Sequence, residues 1–403
     1  MEKMNILFAS HTYIGGAFVV GSHHLARELS GMGHRVLHLS TSVTPAHLLK
    51  VGKLPIRERF EQWRSMGDQP GDMLHGVPMS LVPWAIAGRI YRRTGTNWFV
   101  RSIRFPSVSK LLRDRGFSDV DLLLIDQPYF AGIEKHVNAK VVVYRPTDHY
   151  AEMSGDRTVL LAEREIMAGA HGMIATSESV LRSVQRFRQG IPTMILENGV
   201  EFEHFAQGGP EPHDLTAIPG PRAIYMGAVD ERLDLEALRL LAERRPDLSL
   251  IVIGPCDHAA VRKLGAFPNV HLLGRRSYAD LPAYLKHVDL ALLPFSDHPA
   301  NRGRSPMKLY EYAAAGLQVI VRETPELLRR KEDFLVFYRD RQEFVARAGE
   351  LLELRSGRQP PNRERIRNAA RQQSWRSKAE QLLAFCGRLG EPRPDWRYSP
   401  RAE

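Results

Sequence analysis

The 403-residue chain holds only two cysteines, Cys256 and Cys386. Two thiols cannot build a metal cage or a disulfide-stapled secreted scaffold, and they fit a reducing cytoplasm. No stretch approaches the ~18 uninterrupted apolar residues of a membrane-spanning helix. The first strand-like run begins at Asn5, which leaves no room for a secretory leader, so a soluble or at most peripheral protein is expected. Gly-x-Gly-x-x-Gly, P-loop and Gly-x-Ser-x-Gly signatures are missing, which argues against dehydrogenases, kinases and hydrolases. The one Asp-x-Asp, Asp119-Val120-Asp121, precedes a strand-like run and reads as the start of that strand rather than a metal pair. Neither a metal nor another cofactor is expected.

What is present is an ordinary globular balance, 43% hydrophobic and 25% charged, with a formal net charge of +10. The excess of cations favours polyanionic partners: nucleic acid, anionic lipid or phosphate-bearing ligands. No nucleic-acid-binding motif accompanies it, so nucleic acid is not expected as a partner.

The hydrophobic pattern alternates between short apolar runs and helical spacing. Asn5–Ser10 is a buried strand, a loop over 11–18 carries Gly15 and Gly16, and Leu25, Leu29 and Met32 mark a helix stopped by Gly33. His23 and His24 lie in that helix, one expected in the core and one at the surface. A strand over 35–41 completes a βαβ unit. Residues 42–118, rich in Arg, Pro and aromatics, read coarsely as helices. Strands resume at 121–126 and 141–144, nearly all apolar as in sheets covered on both faces. A further strand covers 172–176, and another 193–196. The Gly- and Pro-dense stretch 207–221 reads as a linker. Beyond it strands recur at 223–226, 249–253, 270–273, 290–293 and 318–321, with helices at 235–243, 280–287 and 307–315. The pattern gives an α/β protein of two Rossmann-like, doubly wound domains facing a central cleft. Residues 1–206 form the first, 207–367 the second, and 368–403 a helix able to pack back on the first domain plus a tail.

Ligands in such sheets sit beyond the carboxyl ends of the strands, which selects loops 11–18, 146–151, 227–232 and 296–308. The most informative segment is Ser305-Pro306-Met307-Lys308-Leu309-Tyr310-Glu311-Tyr312. Ser305 can cap a helix starting at Pro306 or Met307, and the helix end with Lys308 would converge on an anion. Glu311, three residues on, shares a face with Lys308 and can accept the two hydroxyls of a ribose. The alternative is a capped amphipathic helix with an ordinary Lys–Glu pair. Asp148 follows a buried strand at the edge of the expected cleft. It is either a structural partner of Arg145 or a functional carboxylate.

Residues 269–321 resemble the donor-binding half of GT-B glycosyltransferases. More narrowly they resemble the inverting β-glucuronosyltransferase of xanthan assembly and its bacterial polysaccharide relatives. Gly274, Tyr284-Leu285-Lys286-His287, Pro294-Phe295, Ser305, Met307-Lys308-Leu309, Tyr312 and Gly316 carry the likeness. Val143-Tyr144-Arg145-Pro146-Thr147-Asp148 resembles the family segment whose aspartate is the catalytic base, and Asn198-Gly199-Val200 the segment closing its first domain. The resemblance implies that Asp148 deprotonates the acceptor hydroxyl. It further implies that Lys308 and the Met307 amide hold the diphosphate, Phe295 walls the base and Glu311 holds the ribose. Gly227 falls in the donor-side loop, and His11, Gly15 and Gly16 in the acceptor-side loop. The xanthan enzyme has tyrosine and glutamine where this chain has Phe295 and Glu311, which leaves the nucleobase less certain. Retaining relatives commonly carry a glutamate eight positions before the ribose one; here that position is Gly303, which disfavours retention.

Residues 81–105 interleave Trp84, Tyr91, Trp98, Phe99 and Phe105 with Arg89, Arg92, Arg93, Arg101 and Arg104. Aromatics favour the membrane interface, and each arginine near an anionic surface is worth roughly 1 kcal/mol. Trp84, Arg92, Arg93, Trp98, Phe99 and Arg101 are therefore expected to face the inner leaflet of the cell membrane. The expected partners are a UDP-sugar donor, glucuronate favoured, a lipid-linked saccharide acceptor and an anionic membrane. A retaining hexosyltransferase and a nucleotide-sugar epimerase are the alternative readings.

Overall fold

The structure, a computed structural model, describes residues 2–15, 19–50, 54–64, 73–356 and 362–390. The chain divides into two compact units, one of Met1–Thr176, Val180–Leu196 and Ala379–Glu403, the other of Ser177–Ser179 and Glu197–Lys378.

The first unit contains strands β1 (Asn5–Ser10), β2 (Arg35–Ser40), β3 (Met73–Gly76), β4 (Met79–Ser80), β5 (Ile103–Arg104), β6 (Val120–Ile125), β7 (Ala139–Tyr144), β8 (Gly172–Ala175) and β9 (Thr193–Ile195). Seven form one sheet in the order β3-β2-β1-β6-β7-β8-β9, paired in parallel throughout, while β4 and β5 make a separate antiparallel pair. Ile6, Leu7, Phe8 and Leu122–Ile125 are completely buried, as strands covered on both faces must be. The Asp119-Val120-Asp121 segment is indeed a strand start: Asp121 accepts the Asn5 amide at 2.8 Å and pairs with Lys140 at 2.7 Å.

Residues 42–118 are not only helical. Helices Leu54–Arg64, Trp84–Thr94, Trp98–Arg101 and Val108–Asp114 share the segment with β3, β4 and β5. β3 escaped the sequence pattern because it is short and lies at the sheet edge, where its first three residues are only half-buried.

The second unit contains β10 (Arg222–Met226), β11 (Ser249–Ile253), β12 (Val270–Gly274), β13 (Leu290–Leu293), β14 (Val319–Arg322) and β15 (Leu335–Tyr338). These form a parallel sheet ordered β12-β11-β10-β13-β14-β15. The 207–221 stretch is not the boundary between units. Phe202, Phe205, Leu215 and Ile218 on either side of its start and along it are buried in the same core as Ile224 and Leu293, so 197–221 is part of the second unit.

The expected last helix is two helices, Arg363–Gln372 and Trp375–Leu389. Val200 breaks them apart: its amide donates to the Gln373 carbonyl at 3.0 Å and its carbonyl accepts the Trp375 amide at 3.1 Å. From Ala379 onward the second of these helices belongs to the first unit. Among the described residues no helix is long and apolar enough to cross a membrane.

His23 and His24 are both buried, against the expectation of one surface histidine. His23 meets His38 edge-on at 5.1 Å between ring centres, and His38 stacks on Phe8 and lies in register beside His75 on β3. Burial holds the His23 imidazole down at about 4 and His38 well below its ordinary range, so both are neutral in the folded protein. An unfolded histidine binds a proton near 6.5, so the unfolded state gains protons first as pH falls. Stability should therefore drop between pH ~6.5 and ~4, by on the order of 3 kcal/mol from His23 alone. Urea midpoints measured across that range should show the slope, and His23→Gln should flatten it.

Candidate functional site

In the first unit the polar groups gather where the central strands end. Asp126 follows β6 and Arg145 follows β7, with relative exposures of 3% and 2%. The guanidinium donates through Nε to Oδ1 and through Nη2 to Oδ2, both at 2.8 Å, and the Ser10 hydroxyl at the end of β1 donates to Oδ2 at 2.6 Å. Arg145 is thus the partner of Asp126, not of Asp148. Burial opposes its charge, but Asp126 outweighs burial and holds the guanidinium protonated beyond its usual range.

Asp148 stands three residues further on and is partly exposed. Its Oδ2 accepts the Thr147 hydroxyl at 3.3 Å, and the Thr147 hydroxyl lies 2.6 Å from that of Tyr150. Thr176 Oγ1 pins the Thr147 carbonyl at 2.7 Å, and the Tyr150 amide donates to the Asp148 carbonyl at 2.9 Å. Burial, then the Asp148 charge, pushes the Tyr150 phenol above its ordinary range, which keeps it a neutral donor. His11 is exposed beside Thr12 at 3.1 Å, and Gly15 has φ 91° on the same loop. Gly16 lies outside the described residues.

In the second unit Lys308 opens the helix Lys308–Ala314. Ser305 does not cap it. Among the described residues no side chain caps that helix, and the Ser305 hydroxyl instead accepts the Asn198 amide at 3.0 Å and Arg330 Nη2 at 2.9 Å. The Asn198 side chain donates to the Ser305 carbonyl at 2.8 Å, so serine and asparagine tie two loops together. The half-buried Lys308 lies beside Gly227, where a Cβ would stand 2.7 Å from the Tyr225 hydroxyl and 3.3 Å from Lys308 Cε. Only glycine fits there, which is the reason for Gly227 after β10.

Burial lowers the Lys308 ammonium; Glu311 opposes this, and the charges of Arg304 and Arg232 add to it. The sequence reading missed Arg232 and Arg304, although both lie on loops it had selected and Arg304 belongs to an Arg-Gly-Arg-Ser run. Arg232 is held by Asp230, Nε to Oδ1 at 3.0 Å. Arg304 lies over the Phe295 ring at 5.7 Å, and Phe295 is itself buried in the core, leaving little free ring. Met307 is half-buried at the helix start, and Glu311 is buried one turn on. The Tyr312 hydroxyl accepts the Met226 amide at 2.8 Å and so joins this helix to the end of β10.

The aromatic–arginine segment is split by the fold. Phe99 is 1% exposed, and Trp84 stacks on Tyr129 at 4.2 Å while its Nε1 donates to Asp156 at 2.9 Å. These two rings face protein, because their helices must cover the sheet. Arg92 bonds Thr158 and lies 3.6 Å from Asp156. Trp98, at 40% exposure with Arg101 above its ring at 5.3 Å, remains at the surface, as does Arg93. Beside them Arg101, Arg104, Phe105, Lys110 and His136 line a cavity of about 790 Å³, with Phe105 68% exposed.

Residues 220–354 match the family described as glycosyl transferases group 1. A putative teichuronic acid biosynthesis glycosyltransferase, TuaH of Bacillus subtilis, is 25% identical over 269 residues, 61% of this chain and 66% of its own length. The chain thus spans just under two thirds of that relative. Anabaena HepE in complex with UDP superposes with a TM-score of 0.68 at 16% identity, covering 96% of this chain and 100% of that one. Sucrose-phosphate synthase of Thermosynechococcus elongatus gives 0.70 at 14% identity, over 96% and 99%. The fold is GT-B.

The reassigned ion pair makes a contrast that unfolding can read. Asp126→Asn leaves the Arg145 guanidinium buried without its counter-charge and should cost about 3–5 kcal/mol. Asp148→Asn, at a partly exposed position, should cost less than about 1 kcal/mol. Denaturant unfolding of the two variants checks this, and equal losses would return Arg145 to Asp148.

Proposed function

We propose that this GT-B-class glycosyltransferase transfers a sugar, glucuronic acid favoured, from a UDP donor to a lipid-linked or polysaccharide acceptor with inversion at the anomeric carbon. The observation that carries the reading is the cationic pocket of the second unit. Lys308, Arg232 and Arg304 converge beside a glycine that lets a ligand approach the backbone, and burial, then the charges of the two arginines, depress the lysine against the pull of Glu311. Such a converging set of cations suits a diphosphate. Residues of the matched family segment supply the whole pocket. UDP is favoured because the similar HepE protein was crystallised with it, and a polysaccharide acceptor because the curated relative carries a teichuronic acid role.

In the proposed reaction Asp148 takes the proton of the acceptor hydroxyl as that oxygen attacks the anomeric carbon. The bond to the β-phosphate oxygen breaks, and the negative charge of the leaving UDP is met by Lys308, the Met307 amide and the two arginines. These cations take the part a metal ion would play, so turnover should survive chelation. Glu311 holds the ribose, Phe295 backs the base, and Ser305 shapes the loop through Asn198 rather than by capping. The loop of His11, Gly15 and Gly16 receives the acceptor. Gly303, eight positions before Glu311, leaves no second carboxylate of the retaining kind.

The acceptor is proposed to reach the enzyme at the inner face of the cell membrane, where Arg93, Trp98, Arg101, Arg104 and Phe105 would meet anionic headgroups. Flotation with acidic liposomes should be lost when Trp98, Arg101, Arg104 and Phe105 are replaced together. Flotation unchanged by those replacements would remove the membrane from the reading.

The division of roles predicts different failures. Asp148→Asn should lose about 10²–10⁴ in turnover while calorimetric UDP affinity holds. Lys308→Ala should weaken UDP itself by roughly 10- to 100-fold. Equal loss of UDP affinity in both variants rejects the assignment, and binding of GDP without UDP rejects the glucuronosyl donor.

A further inference from the structure

The second unit has another cavity, of about 510 Å³, beyond the ends of β14 and β15. Four carboxylate and four guanidinium side chains line it, and they are matched to one another or to close neighbours. Arg322 pairs with Asp297 at 2.8 Å, Arg341 with Asp234 at 2.9 Å and Arg239 with Glu236 at 2.7 Å. The lining thus carries no net formal charge, unlike the pocket around Lys308. Tyr338 also lines it. Its ring packs on Phe344 at 4.8 Å, and the residue is 1% exposed. Among the described residues its hydroxyl has no hydrogen-bond partner, although the charges of Asp234, Arg322 and Arg341 reach it.

A buried hydroxyl left unpaired in a polar cavity is rare in native proteins and marks a group awaiting a partner. The lining decides what that partner is. An anion would have to break existing guanidinium–carboxylate pairs, and a cation would face the same guanidiniums. An apolar ligand would strand eight charged groups away from water. A neutral polyol escapes all three costs, because each hydroxyl both donates and accepts and can bridge a guanidinium and a carboxylate without separating them. The volume lies within the range of small-molecule pockets.

We infer that this cavity is a neutral-saccharide site, distinct from the nucleotide pocket, with the Tyr338 hydroxyl as its buried hydrogen-bonding anchor. Binding there needs no nucleotide, so the inference stands or falls independently of the donor assignment.

The test uses the full chain without nucleotide, probed by saturation-transfer NMR with glucose, galactose, mannose, cellobiose, maltose and lactose, and by inorganic sulfate as the anionic control. At least one sugar should bind, and Tyr338→Phe should bind it roughly fivefold more weakly. Asp148→Asn should bind it as the natural chain does. Removing an unpartnered hydroxyl should leave the unfolding temperature of sugar-free Tyr338→Phe unchanged or raised. The inference is overturned if no sugar binds, if Asp148→Asn rather than Tyr338→Phe loses binding, or if sulfate binds in a Tyr338-dependent way. A fall in the unfolding temperature of sugar-free Tyr338→Phe would overturn it too, since the hydroxyl would then already have its partner.

Discussion

The buried ion pair of Asp126 and Arg145 is the interaction on which the carboxyl edge of the first unit's sheet depends. A parallel sheet covered on both faces leaves its central strands largely apolar, so the buried charges of this unit's centre gather where the strands stop. At that level the tails of β1, β6 and β7 contribute Ser10, Asp126 and Arg145, joined by three hydrogen bonds of 2.6–2.8 Å. Desolvating both ions is costly and is offset only because each bond is short and aligned. The pair fixes the direction in which the chain leaves β7. Asp148 is carried on that outgoing segment, held in turn by Thr147, Thr176 and Tyr150.

The second unit treats charge in the opposite way. Where β6 and β7 end, a cation and an anion neutralise each other; where β10 and β13 end, Lys308 meets Arg232 and Arg304, whose charges add to the burial that depresses the ammonium while Glu311 opposes it. The close approach is built into the backbone. Gly227 admits Tyr225 and Lys308 at one side, and a Cβ on Gly254 would stand 1.9 Å from the Gly227 carbonyl oxygen. The first unit thus holds a buried, neutralised pair, and the second a lysine flanked by two further cations.

The central strands could be read in the sequence because burial on both faces leaves an unbroken apolar run, as in Leu122–Leu124 and Leu290–Leu293. Of the four edge strands, β9 and β12 were read but β3 and β15 were not; both are only four residues long and partly exposed, and MLHG carries no apolar alternation. The break at Gln373 was invisible because its cause is Val200, remote in the chain and joined only by two backbone hydrogen bonds. Side-chain partners failed for a related reason. Arg145 looks adjacent to Asp148 on paper, but the guanidinium turns to the neighbouring strand, and proximity in sequence says nothing about that choice. Phe99 and Trp84 read as interfacial because composition does not reveal which face of a short helix covers the sheet. Lys308 and Glu311 share a helix by their local spacing, whereas Arg232 and Arg304 join Lys308 only through the fold.

The turn after β13 shows how such tertiary bonds shape the pocket. The Pro294 carbonyl accepts the Asp234 amide at 2.8 Å, the Phe295 carbonyl accepts Arg322 at 3.2 Å, and the Ser296 amide donates to the Arg232 carbonyl at 3.0 Å. Three consecutive residues are therefore fixed by two other parts of the chain, the 232–234 loop and the end of β14. Arg232 has two tasks: its carbonyl sets the turn, while its guanidinium adds to the field at Lys308. Arg322 likewise links this turn to Asp297 and to the charge-balanced cavity around Tyr338. The position of Phe295 is thus a property of the whole second sheet's carboxyl edge, and neither the motif nor the loop that carries it could set it alone.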